Sequence, residues 1–160
     1  MRSIRRMPGP GLFLGRSADG GEPVHLDPDE LTTHGLVVGM TGSGKTGFGV
    51  VLIEELLLAG VPVLCLDPKG DLPGLALSFP SLAAEEFAPW VEGDDPAAVA
   101  ARWRDGLAGW GLGAADVARL RDAAVVTACT PGATAGTGLD LVWSRRAPAG
   151  APDRRRQDPP

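Results

Sequence analysis

No stretch of eighteen apolar residues occurs in this 160-residue chain, so no membrane-spanning helix is expected. The start, "MRSIRRMPGPGLFLGRS", pairs Arg5-Arg6 with an apolar stretch of only "GLFLG" before Arg16. That is too short for a secretory or twin-arginine signal. Cysteine is scarce. Cys65 and Cys129 lie in apolar stretches, far in sequence from His25 and His34. No metal-ligand spacing is formed, and buried, reduced core thiols in a cytoplasmic protein are expected. A basic surface is also lacking. The net charge is −5, divided unevenly. Residues 1–6 and 145–160 carry eight arginines against two aspartates, or +6. Residues 7–144 carry seven basic against eighteen acidic side chains, or −11. Nucleic-acid binding therefore has no electrostatic signature in the body of the chain.

What is present is glycine, 23 residues, and a hydrophobic fraction of 44%, enough for one domain with a core. "LDPDELTTHGLVVG" predicts a turn or short helix near Asp27–Leu31, then a strand over 35–38. "KTGFGVVLIEELLLAG" predicts a helix over 44–59, closed by Gly60 at the C′ position. Apart from Lys45, its charges are Glu54 and Glu55 alone, so it calls for cover on more than one side. "VPVLCLD" follows as a short apolar strand, consistent with a parallel sheet buried on both faces. Asp95 as N-cap and Pro96 at N1 open another helix, whose Val99, Trp103, Leu107 and Trp110 share one face and are expected in the core. A short helix over 115–122 and a strand at "AVVTAC" complete the pattern. Residues 143–160 are rich in Pro, Arg and Asp and are expected to be disordered, as is a flexible arm at residues 1–11.

One motif carries chemistry. "GMTGSGKT" is Gly39-x-x-x-x-Gly44-Lys45-Thr46, the Walker A spacing, lying between a predicted strand and a predicted helix. Polyphosphates need many donors without steric blockage. Glycines let successive backbone N–H groups turn inward, and the helix start adds the positive end of its dipole. The expected donors are Gly42, Ser43, Gly44, Lys45, Thr46 and Gly47. Lys45 reaches the β- and γ-phosphates as a point charge, the one candidate catalytic residue, and the Thr46 hydroxyl is placed to ligate Mg²⁺. With this composition a chance match is on the order of 1 in 300. Lysine occurs only at 45 and 69, whereas arginine occurs thirteen times.

The second lysine stands in "CLDPKGDL". Asp67 ends a hydrophobic run there, which allows it to be a carboxylate of the Mg²⁺ shell, as at the end of a Walker B strand. It equally fits a "DPKGD" turn beside the phosphate site, or a plain Pro-Lys-Gly turn capped by its own carboxylate.

Taken together, "THGLVVGMTGSGKTG" and "GVPVLCLDPKGDL" resemble the HerA/FtsK superfamily of P-loop ATPases, closest to bacterial helicase HerA-like ATP-binding proteins and including the coupling ATPases of conjugation. The resemblance spans roughly residues 12–141. It implies an α/β fold, the P-loop NTPase (RecA-like) three-layer parallel sheet, with a partial ATPase domain over 12–142. It implies ATP and Mg²⁺ as cofactors, a homo-hexameric ring and DNA as the partner. It places the phosphate and Mg²⁺ contacts on Lys45 and Thr46, and sets the "DPKGD" segment apart from the Walker B strand. "TPG" at Thr130–Gly132 resembles a further family segment. Departures follow. No later apolar run ends in Asp-Glu, and Asp140 in "GLDLVW" lacks a preceding strand. The domain is thus expected to be incomplete at its C-terminus, through truncation or a frameshift, with weak turnover or none. Two alternatives remain. One is a small P-loop kinase or NTPase with Asp67 as its Walker B carboxylate and Arg102, Arg104, Arg119 or Arg121 in a lid. The other is a non-catalytic interaction fragment.

Overall fold

The computed structural model describes residues 11–131, 137 and 138. Gly132, Asp140, the tail at 143–160 and residues 1–10 of the arm lie outside them. The chain divides into two units, residues 1–126 and 127–160. In the second, Cys129 and Thr137 form an isolated parallel bridge, with Thr130 N donating to Thr137 O at 2.9 Å and Thr137 N to Ala128 O at 3.2 Å.

The first unit opens with a hairpin that sequence reading missed. Strand β1 (Leu12–Arg16) pairs antiparallel with β2 (Pro23–Leu26), with a bulge between Phe13 and Gly15. Glycines interrupt both ends of β1, which hides the two-residue alternation that marks a strand. Phe13 stands opposite His25, their ring centroids 5.5 Å apart, and Leu12 is fully buried. A 3₁₀ turn over Pro28–Thr32 follows, its first amides held by Asp27 through Asp29 N at 3.0 Å.

Helix α1 (Lys45–Leu58) matches the expected span to within a residue at each end. Its exit is a Schellman turn. Gly60 N donates to Leu57 O and Val61 N to Leu56 O, both at 2.9 Å. None of its residues is fully buried, although its side chains are apolar on nearly every face. Its contact with β1 is tied by Glu55, whose Oε2 accepts from Phe13 N at 2.9 Å. Glu54 has no such outlet. Burial, and secondarily the charge of Glu55, push its carboxyl above the usual range. A carboxyl raised on folding disfavours the fold above that raised pKa and stops doing so as pH falls through it. Glu54→Gln is therefore expected to raise the melting temperature at pH 7 and to leave it unchanged in acid; melting curves at the two pH values check this.

The core lies further along. Helix α2 (Ala84–Phe87) is a single turn, and α3 (Pro96–Ala108) packs on it. Asp95 caps α3 as expected, accepting from Ala97 N at 3.1 Å. Leu82, Phe87, Val99 and Ala100 are buried together, with Phe79, Val91, Leu107 and Val117 against them. Leu82 holds φ at 51°, a costly value for a branched residue. Its side chain is buried and its carbonyl accepts from Arg104 Nη1 at 2.8 Å, which offsets that cost. Helix α4 (Ala114–Ala123) closes the run, with Asp116 Oδ2 accepting from Gly113 N at 3.0 Å.

Three expectations are corrected. The segments 35–38, 61–67 and 124–126 carry no ladder; among the described residues the sheet is the two-stranded β1–β2 hairpin. A parallel strand is held only by neighbours on its edges, and no described residue supplies them. Consequently Cys65 is exposed rather than buried, as is Cys129 in the second unit. Trp103 and Trp110 share the face of Val99 but remain half-exposed, because the buried cluster ends at Leu107.

Candidate nucleotide-binding site

Residues 39–44 form an exposed loop that runs into the first turn of α1 at residues 45–47. Ser43 N donates to Met40 O at 3.2 Å, which closes the turn, and Phe48 N to Gly44 O at 2.9 Å begins the helical ladder. Gly42 and Gly44 have φ of 82° and 88°, the left-handed region that glycine adopts without strain. These two positions set the curl. Gly39 lies close under the loop: a Cβ there would meet Ser43 Oγ and crowd Lys45 Cγ, so the serine side chain would have to turn away.

The curl leaves donors over. Among the described residues, the N–H groups of Gly42, Gly44, Lys45, Thr46 and Gly47 have no protein acceptor. Those of Lys45–Gly47 belong to the first turn of α1, where the helix itself offers no partner and the dipole is positive. The first turn holds no acidic side chain to compete with an anion. Lys45 Nζ folds over the loop and donates to Met40 O. Ser43 and Thr46 both lie exposed, with their hydroxyls on this loop. The expected phosphate ligands Gly42–Gly47 are thus contiguous, open and donor-rich. The sequence did not reveal that Met40 supplies the carbonyl that holds Lys45.

Asp67 lies in a different arrangement. Its Oδ1 accepts from Gly70 N at 2.9 Å and Lys69 N at 3.3 Å, and its Oδ2 from Leu72 N at 2.8 Å. The bond from Leu72, aided by the other amides of the loop, holds the carboxyl below its usual range. Lys69 Nζ pairs with Asp71 at 2.9 Å on the surface, and that partner raises the ammonium's pKa. The geometry is that of a self-capped turn with both carboxylate oxygens engaged. A carboxyl depressed on folding contributes above its ordinary pKa and loses that contribution as pH falls through the lowered value. The 67–72 loop is therefore expected to loosen only in strong acid. Asp67→Asn, which lacks the second acceptor oxygen, is expected to loosen it at neutral pH; hydrogen exchange of the Gly70 and Leu72 amides checks this.

A divalent cation fits the first site rather than a cluster. Among the described residues no group of three or more His, Cys, Asp or Glu could hold a metal. A Mg²⁺ that arrives with a polyphosphate keeps several waters and needs few protein oxygens, which the Thr46 hydroxyl can supply. Among the described residues no helix is long and apolar enough to cross a membrane.

Residues 12–91 match the family described as helicase HerA, central domain. The type 4 coupling protein DotL of Legionella pneumophila is 39% identical over 59 residues, 37% of this chain. The match covers 8% of DotL's length. No solved structure matches the chain.

Proposed function

Since the chain belongs to the helicase HerA central-domain family, we propose that its 39–47 loop binds Mg·ATP, with little or no turnover. The observation that carries the reading is the row of N–H groups at Gly42, Gly44, Lys45, Thr46 and Gly47 without protein acceptors. These amides, with Ser43, surround the phosphates. Lys45 exchanges its bond to Met40 O for the β- and γ-phosphates, and Thr46 holds the Mg²⁺, which neutralises phosphate charge when bound. Grip on the phosphates does not by itself orient an attacking water, and whatever part of it is equal in ground and transition states does not speed the chemical step. An arginine finger alone is worth about 10³–10⁵ in rate.

Within an assembled motor, segments 35–38 and 61–67 take their places in a RecA-like three-layer parallel sheet. DNA translocation by a cytoplasmic homo-hexameric ring is the wider activity to which this nucleotide site contributes. Asp67 supports the neighbouring turn rather than the metal, because both of its oxygens already accept from amides. That same engagement weighs against a small kinase built around an Asp67 Walker B carboxylate. Phosphate release from ATP and Mg²⁺ by the isolated chain, compared with Lys45→Ala, tests the reading. Binding with barely detectable release is expected. Rapid release that depends on Lys45 would overturn the slow-turnover assignment.

A further inference from the structure

We infer that Phe48 receives the nucleoside end of the nucleotide and takes its base as a flat ring, so that ATP and GTP bind alike. This rests on the assignment of the phosphates to the 39–47 loop and adds a nucleoside contact to it. The exposed residues of α1 all fall in its first two turns, at 46–48 and 51. Phe48 and Val51 are its exposed large apolar side chains, at 37% and 36%. Phe48 stands outside the buried cluster, and among the described residues no other ring packs on it.

Lys45 and Phe48 are three residues apart on α1 and share a face. Helical side chains lean toward the N-terminus, so the Phe48 ring covers the turn that begins at Gly44 and Lys45. The same turn carries the N–H groups without protein acceptors. The space on either side of Phe48 in the chain is open, because a Cβ added at Gly47 or Gly49 would meet nothing within 4 Å. Further along the same stripe the space is bounded. Glu55 lies seven residues beyond Phe48, about 10 Å along the axis. There its Oε2 holds the hairpin through Phe13 N at 2.9 Å. A ribose and a base extending from the phosphates have room between the loop and that hairpin. Adenine and guanine differ in the donors and acceptors on their edges. Between Phe48 and Glu55 the stripe offers Val51 and Leu52, which carry neither. A phenyl ring stacks on the face of either purine, and every base has such a face.

Titration calorimetry of the full chain with Mg·ATP, Mg·GTP and magnesium tripolyphosphate tests the assignment. The wild type is expected to bind the two nucleotides within about threefold of each other. Phe48→Ala is expected to weaken both by about five- to a hundredfold and to leave tripolyphosphate unchanged, since that ligand has no base to stack. Phe48→Leu keeps an apolar side chain without a ring face and is expected to weaken the nucleotides as well. Phe48→Trp is expected to retain them. Lys45→Ala weakens all three ligands. Nucleotide affinity that survives Phe48→Ala or Phe48→Leu overturns the inference and spares the phosphate loop. So does a loss in Phe48→Ala that is as large for tripolyphosphate, or a preference of more than about tenfold for one nucleotide. A wild-type chain that binds none of the three ligands overturns the phosphate assignment itself, and this inference with it.

Discussion

Replacement of Lys45 by alanine is expected to weaken Mg·ATP binding by about one to two orders of magnitude while the chain stays folded. A hydrogen bond from a charged donor contributes about 1.5–3 kcal/mol, and every 1.4 kcal/mol is tenfold in affinity. The ammonium is not part of the core. In the free loop its recorded bond is to Met40 O at the protein surface, so its removal costs the fold little. Lys45→Arg tests shape rather than charge. A planar guanidinium cannot replace a compact ammonium inside a tight curl, so the arginine variant is expected to lose affinity as well. Competition against a fluorescent nucleotide measures both variants, and coincident melting curves establish that neither has unfolded.

Phe87→Ala is expected to abolish cooperative melting of the α2–α3 region. Phe87 is 2% exposed and lies 4.3 Å from Phe79 and 6.1 Å from Trp103 between ring centroids. Removal of a buried phenyl ring costs about 3–5 kcal/mol, against a total of about 5–15 kcal/mol for an ordinary domain. Among the described residues the buried core is small: Leu12 at the hairpin, and Leu82, Phe87, Val99 and Ala100 around α2 and α3. Little else among the described residues absorbs the loss, and the positive φ of Leu82 depends on the same cluster. Calorimetry is expected to show a clear transition for the wild type and a broad, low one for the variant. Phe87→Leu, which keeps part of the volume, is expected to fall between them.

The parts that were legible in the sequence are those fixed by near neighbours. The start of α1 follows from Gly44-Lys45, its end from Gly60, and the start of α3 from Asp95-Pro96, because caps involve groups within four residues. The curl of residues 39–47 was legible for the same reason: its turn, its free amides and its lysine are contained in nine residues. The β1–β2 hairpin was missed because a bulge and two glycines break its alternation. The segments 35–38 and 61–67 had the composition of strands, but composition states what a strand would bury and leaves open what would pair with it. The exposure of Leu36, Leu64 and Leu66 is the physical consequence. Asp67 is the mixed case. Its three readings differed in what its oxygens touch, and that depends on the path of residues 69–72 rather than on the residue types.

The most direct measurement of phosphate capture is the ¹⁵N–¹H spectrum of the intact chain titrated with Mg·ATP. The amides of Gly42, Ser43, Gly44, Lys45, Thr46 and Gly47 are expected to move together and saturate, with those of the 67–72 loop far less affected. An unchanged spectrum, or shifts confined to residues outside 39–47, would contradict the assignment of this loop as the nucleotide site.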